Sequence, residues 1–310
     1  MRRLLSFFYH WSGPALCLAW MIGWMAKDRT PATTWLYFIP PTFVVVYGAI
    51  WLAVYRGRGG PVRALVHGLT ILAALKVTLV DCSWNARRED VAGHLQVVHW
   101  NVGQWNDRIT NQLRAIAADQ PDICLLSEAP RYADVAQLAQ QRLGTPYTLV
   151  DAGMALLSKY PFEPLGSLKL TNAKGWAVRI ATPKGPLDLV IVDLISHPTL
   201  NRRMPISELS DWIANLPASI PVIVLGDFNT PRDALSFDPL RRRLRNAYEI
   251  AGRGWPYSWP MPVPVYSIDH AWVSPSVRVL NYSMKGSRLS DHRRQVMDID
   301  IATDGYRLTD

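Results

Sequence analysis

The stretch VIVLGDFNTPRD, Val222–Asp233, carries four apolar strand formers into a glycine and then releases an aspartate, a phenylalanine and an asparagine. Val222–Leu225 reads as a central strand that no charge would enter, and Gly226 permits the tight exit that turns the chain outward. Asp227 and Asn229 then stand at the strand's end, where an ordinary Asx-bonded turn and a functional site look alike. The other strand ends decide between them.

Working outward, short apolar strands alternate with amphipathic helices from Leu95 onward, with no internal repeat or low-complexity tract. Strands are predicted at Leu95–His99, Ile123–Leu126, Met154–Leu157, Trp176–Ala181, Leu187–Ile195, and near His270–Val273 and Val296–Ile301. Helices are predicted at about Asp107–Asp119, at Val135–Leu143, and where Ile206, Leu209, Ile213 and Leu216 recur at helical spacing. This is one mixed α/β domain. Its strand ends deliver Asn101, Glu128, His197, Asp227 and Asn229, while YSIDHAWV and RLSDHRRQ add Asp269 with His270 and Asp291 with His292. Side by side, such strands would line one rim with polar groups, as open α/β sheets often do. Carboxylates, amides and imidazoles without a cysteine cluster suit a hard cation, Mg²⁺ or Mn²⁺, whose shell water and phosphate complete. The histidines lack zinc spacing.

The first part of the chain follows another pattern. Leu4–Ala26 and Pro31–Tyr55 carry no formal charge, and each is long enough to cross about 30 Å of hydrocarbon as a helix. Ala64–Val80 is a third apolar stretch, interrupted by Lys76, which would snorkel to the headgroups in a three-span reading. Two spans, an interfacial helix or a helix packed on the soluble domain are the alternatives. Arg2, Arg3, Arg56, Arg58 and Arg63 place the start and the second loop in the cytoplasm by the positive-inside rule. Three spans then put everything after about Asp81 outside. The expected division is a membrane anchor over 1–88, uncleaved and multi-pass in the cytoplasmic membrane, and a soluble domain over 89–310.

The net charge of +8 belongs mostly to the anchor: eight Lys or Arg against two Asp up to Asn85 leave 25 against 23 beyond it, or +2. Such balance argues against a duplex-binding surface by composition. Cys17, Cys82 and Cys124 form no spaced framework.

Taken together, HWNV at Asn101, LLSEAP at Glu128, GMALLSKYP, ISHP at His197, LGDFN, SIDHAWVS and LSDHR resemble the endonuclease/exonuclease/phosphatase superfamily, in family order across Leu95–Ile301. The resemblance implies a four-layered α/β sandwich, two packed mixed sheets flanked by helices, and a metal-dependent hydrolase of phosphate esters. It implies that Glu128 binds the metal, that Asn101 helps order metal and phosphate, and that Asp291 supports the metal side. His292, oriented by Asp269, would polarise the attacking water or stabilise developing charge. Asp227 and Asn229 would position the nucleophile and a phosphate oxygen, and His197 would contact the phosphate or assist the leaving group. The role of proton acceptor stays shared between Asp227 and His292. Gly103 stands where family nucleases often carry an acid, and Ser127 where many members carry Gln. GWPYSWPMPVPVYSIDH resembles bacterial membrane-anchored members, including glycopeptide-resistance proteins whose catalytic domain faces outward.

The expected substrate is a phosphodiester, a phosphomonoester or a lipid-linked pyrophosphate at the outer membrane face. Arg202 and Arg203, just past His197, are candidates to meet a second phosphate; Arg241–Arg243 and Arg245 form a solvated face or a contact with anionic lipid. A membrane-anchored nuclease is the alternative, with Trp105, Trp255 and Trp259 as stacking candidates on nucleic acid. A catalytically silent binding protein is the third reading.

Overall fold

The computed structural model describes residues 2–55, 60–85, 93–103, 108–130, 134–197 and 200–301. The chain forms two compact units: Met1–Cys82 with His197–Asn201, and Ser83–Ser196 with Arg202–Asp310.

The first unit is helical: α1 (Arg2–Ala26), α2 (Pro31–Tyr37), α3 (Pro41–Val54) and α4 (Gly60–Leu75), the last continuing as a π-helical turn, Lys76–Asp81. Cys17, Trp20, Val44, Trp51, Val66 and Ala73 pack inside it. Trp51 Nε1 donates to Tyr9 O at 2.9 Å, and Tyr55 Oη lies 2.6 Å from His10 Nδ1, fastening α3 to α1.

Three expectations change here. The predicted span Pro31–Tyr55 is broken: α2 and α3 meet at 61°, where Pro40 and Pro41 withhold two backbone N–H groups from a continuous helix. Lys76 does not snorkel. The π-turn brings residues five apart onto one face, and Lys76 Nζ bonds Asp81 Oδ1 at 2.7 Å with both side chains buried. Among the described residues one helix, Gly60–Asp81, is long and apolar enough to cross a membrane, or two if the bent pair is one span. α1, whose middle carries His10, Ser12 and Pro14, is not among them. Arg56 and Arg58, used for the orientation, lie outside the described residues.

The second unit is the expected four-layered sandwich. One sheet has the order β13 (Val277–Lys285), β14 (Arg294–Ile301), β2 (Leu95–Asn101), β3 (Ile123–Ser127), β5 (Met154–Ser158), β4 (Tyr147–Asp151); the other, β10 (Arg245–Asn246), β12 (Asp269–Val273), β9 (Val222–Asp227), β8 (Gly185–Leu194), β7 (Ala173–Thr182), β6 (Phe162–Ser167). Each sheet is antiparallel except for one parallel pair, β2 with β3 and β8 with β9. A short ribbon pairs β1 (Ser83–Trp84) with β11 (Arg253–Gly254).

Strand side chains alternate between faces, so every second residue enters the shared core: Leu95 and Val97, Ile123 and Leu125, Leu189 and Ile191, Ile223 and Leu225, Met297 and Ile299. On the outer face of the first sheet, Val98, Trp100, Leu126 and Leu157 pack against α5 (Ile109–Ala117) and α6 (Val135–Leu143). In the second sheet's unit, α7 (Arg203–Ala214) buries Ile206, Leu209 and Ile213. The predicted helix start at Asp107 lies outside the described residues. The strands β4, β6, β10 and β13, absent from the prediction, all run along sheet edges.

Candidate active site

The apolar rows of the core end in polar ones. Across the second sheet, Trp176, Ile191, Leu225 and Ala271 face one another in register. Two residues further, on the same face, the row reads Lys174, Asp193, Asp227, Asp269. Strand alternation therefore lines up three carboxylates and an ammonium at the rim. Gly226 makes this possible: a Cβ there would stand 1.9 Å from Val192 O, so any side chain would force β9 away from β8.

Beyond it the chain forms the Asx turn. Asn229, at φ 46°, donates its N–H to Asp227 Oδ1 at 2.9 Å and its amide Nδ2 to Leu194 O at 2.7 Å. The turn and the site are one device, since the turn orients the Asp227 carboxylate. Phe228, fully buried against Phe237 and His270, anchors the loop from beneath. His270 is structural: its Nε2 meets Thr230 O at 2.8 Å, and burial lowers its pKa to about 4.

The first sheet supplies Asn101 and Glu128. Asn101 Nδ2 donates to Glu128 Oε1 at 3.1 Å and to Asp227 Oδ2 at 3.0 Å, while Oδ1 accepts the Gly103 N–H at 3.0 Å. That last bond fixes the amide's orientation, so its nitrogen faces the carboxylates. Asn101 thus orders Glu128 and Asp227 and joins the two sheets. Gly103, which departs from the nuclease pattern, contributes a backbone donor instead of an acid. Glu128 sits at φ 52°, a strained conformation of the kind held at functional sites.

His292 Nδ1 lies 2.8 Å from Asp269 Oδ2, and its Nε2 lies 3.8 Å from Asp227 Oδ2. Its backbone is clamped: His292 N–H donates to Ser290 Oγ at 3.0 Å, Ser290 Oγ donates to Asn101 O at 2.7 Å, and Trp100 Nε1 donates to His292 O at 2.9 Å. Burial opposes the imidazolium, but the charge and hydrogen bond of Asp269, with Asp227 and Asp291 behind them, outweigh it and raise the pKa to about 10. Burial also opposes the Asp269 carboxylate, and His292 overrides it, holding Asp269 below the usual range. Asp227 moves the other way: burial, then the neighbouring Asp269 charge, push it well above the usual range.

Of the remaining predicted residues, Asp291 Oδ2 accepts from Trp259 Nε1 at 2.9 Å, and its charge favours the His292 imidazolium. Arg202 is buried, its Nε 3.4 Å from Asn229 O; burial lowers its pKa, and the charge of Asp227 offsets this only in part. Arg203, the next residue, is exposed and lines a different cleft. His197 stands exposed after β8 and is grouped with the N-terminal helices, outside the unit that carries this cluster.

Three groups escaped the sequence. Asp193 continues the inward row of β8, where burial and then Glu128 lift its pKa to about 6 against the charge of Lys174. Lys174 faces it on β7. His99 is buried in a relay: Tyr282 Oη donates to Gln295 Oε1 at 2.5 Å, so Gln295 Nε2 donates to His99 Nδ1 at 2.8 Å and His99 Nε2–H faces Ser127 Oγ at 2.9 Å. Burial lowers its pKa to about 4, so it is neutral. The signal for all three was periodicity, each lying two residues beyond a core position on its strand.

Asp227, Asp269 and His292 bring three ligand-type atoms within 4.8 Å of one another. Asp269 Oδ2 is committed to the imidazole, so this trio works as an acid–imidazole pair beside a carboxylate rather than as a cage. The donor set as a whole does fit a hard divalent cation: Glu128, Asp193, Asp227, Asp269 and Asp291 outnumber His292, Arg202 and Lys174, and Glu128 has no ion pair among the described residues.

Two mixed sheets packed face to face, with an acid–imidazole pair and surplus carboxylates on their common rim, define a class: the α/β-sandwich hydrolases of phosphate esters. The chain belongs to the Endonuclease/Exonuclease/phosphatase family, which it matches over residues 98–292, more than half its length. Members of the family hydrolyse phosphate esters and are in general divalent-metal dependent. Similar solved structures include an endonuclease/exonuclease/phosphatase from Beutenbergia cavernae, 18% identical over 69% of this chain and 72% of that one, at a TM-score of 0.54. D. rerio TDP2 complexed with single strand DNA product is 19% identical over 67% of this chain and 99% of that one, at 0.53. A Bacteroides thetaiotaomicron mannosyl-6-phosphatase is 15% identical over 67% and 100%, also at 0.53. At such identities the likeness establishes the fold. No curated protein matches the sequence.

Proposed function

We propose that this chain is a divalent-metal-dependent phosphoesterase, attached to the cytoplasmic membrane by its N-terminal helices and acting at the outer face on a phosphodiester, phosphomonoester or lipid-linked pyrophosphate. The observation that carries the chemistry is the Asn101 amide bridging Glu128 and Asp227, with the Asp269–His292 pair 3.8 Å from Asp227.

Glu128, supported by Asp291, would hold Mg²⁺ or Mn²⁺, which would supply positive charge to the phosphoryl oxygens. Asp227, its basicity raised by burial, accepts the proton of the attacking water. The water oxygen bonds phosphorus as the bond to the leaving oxygen breaks in line. His292, protonated through Asp269, presents Nε2–H to the charge that develops on the phosphoryl group. Asn229 steadies Asp227, and Arg202 supports that loop.

The membrane assignment draws on Met25, Val46 and Leu79, which are 70%, 59% and 71% exposed on the helical unit. Water would penalise such a surface and hydrocarbon would not. The alternative, a membrane-anchored nuclease, draws on Trp255, 41% exposed, as a base-stacking platform. Trp259 is tied to Asp291, and Trp105 lies outside the described residues. Purified full-length protein with Mg²⁺ should release phosphate from polyprenyl pyrophosphate or cleave bis-p-nitrophenyl phosphate; absence of turnover on both would overturn the proposal. Cleavage of DNA alone, with salt-sensitive binding, would select the nuclease.

A further inference from the structure

The fold sorts the arginines of the run Arg241–Arg245. Arg241 binds Glu249 through both Nη atoms, at 3.0 and 3.2 Å, donates to Arg232 O at 2.8 Å and lies 5.1 Å over the Trp272 ring. Arg245 sits in β10 and reaches Pro275 O at 3.5 Å. Both serve packing. Arg242 and Arg243, by contrast, form no ion pair among the described residues and turn into a cleft of about 530 Å³.

Arg203, from the first turn of α7, enters the same cleft from the other side, together with Ser207, Ser210 and Asp211. The lining therefore holds three arginines and one aspartate. None of the residues assigned to catalysis lines this hollow. A concavity lined mainly by exposed arginines carries a positive potential that favours an anion. Guanidinium forks match phosphate oxygens two at a time, the Ser207 hydroxyl adds a donor, and the α7 N-terminus contributes partial positive charge.

We propose that the Arg203–Arg242–Arg243 cleft is a second anion site, separate from the catalytic rim, that binds a phosphate-bearing group. A phospholipid headgroup and a soluble phosphate share this chemistry. The inference is independent of the catalytic reading, because it is tested without metal or turnover.

The test is isothermal titration of full-length protein in neutral detergent and EDTA with two probes, inorganic pyrophosphate and glycerophosphoglycerol, the latter a soluble form of a phospholipid headgroup. At least one should bind at millimolar strength or better, and Arg242→Glu with Arg243→Glu should weaken it about tenfold or more, the loss expected for charge-assisted hydrogen bonds. The milder Arg203→Gln should lower affinity in the same direction and guards against misfolding of the double variant. Tighter binding of glycerophosphoglycerol assigns the site to a lipid headgroup, and tighter binding of pyrophosphate assigns it to a soluble phosphate. Failure of both probes to bind, or binding that survives all three substitutions, overturns the proposal.

Discussion

Each unit buries an ion pair of nearly the same geometry, Lys76–Asp81 at 2.7 Å and His292–Asp269 at 2.8 Å, and the surroundings give them different work. The first closes a π-turn in an all-helical unit whose outer surface is apolar, so it neutralises two charges where neither could be solvated. The second stands where the apolar rows of two sheets end, beside Asp227 and Asn101, with a nitrogen left over to face a reactant. Burial alone does not mark a catalytic group. What sets the second pair apart is the imidazole nitrogen that remains beside Asp227.

The comparison can be broken most forcefully at His292. Substitution His292→Ala is expected to lower kcat by about a thousandfold, the middle of the range for a general acid or base, and to lower Tm as well, because Asp269 is left buried without its partner. Steady-state turnover with circular dichroism as a folding control checks this, and near-native kcat would mean the second pair is also only structural. Next in size, Lys76→Ala should destabilise the helical unit by about 3–5 kcal/mol, because Asp81 is left buried and alone. Thermal unfolding in detergent reads this, and replacing both partners with apolar residues should recover most of the loss.

The pH dependence sharpens the contrast further. Folding raises His292 from 6.5 to about 10, so its contribution to stability is complete below about pH 6.5 and disappears as pH rises through 10. Activity should show an alkaline limb near pH 10, and Asp269→Asn should draw that limb downward in a pH–rate profile. The smallest expected effect is at Trp259. Trp259→Phe removes one hydrogen bond to Asp291 and should cost about 1 kcal/mol in a denaturant titration.

What was legible in the sequence follows from burial on both faces. Central strands such as Val222–Leu225 are apolar throughout because both sides are covered, and they stop abruptly at Asp227. The edge strands were invisible for the complementary reason: Phe162–Ser167 holds Pro164 and Gly166 at a bulge, and Tyr147–Asp151 is only partly buried. Within the site, Asn101, Glu128, Asp227, Asp269 and His292 could be read as polar stops. Asp193 could not, because it falls inside a long apolar strand and acquires meaning only through its register with Asp227. Arg202 and Arg203 looked like a pair, yet one is the helix N-cap and the other its first residue, so they diverge.

The Asn101 amide ends one sheet and grips a carboxylate on the other. It acts as a caliper: a small sliding of the sheets past each other changes the gap between Glu128 and Asp227 before any strand is lost. Substitutions deep in the shared core, far from the rim, should therefore blunt turnover at temperatures where the protein is still folded.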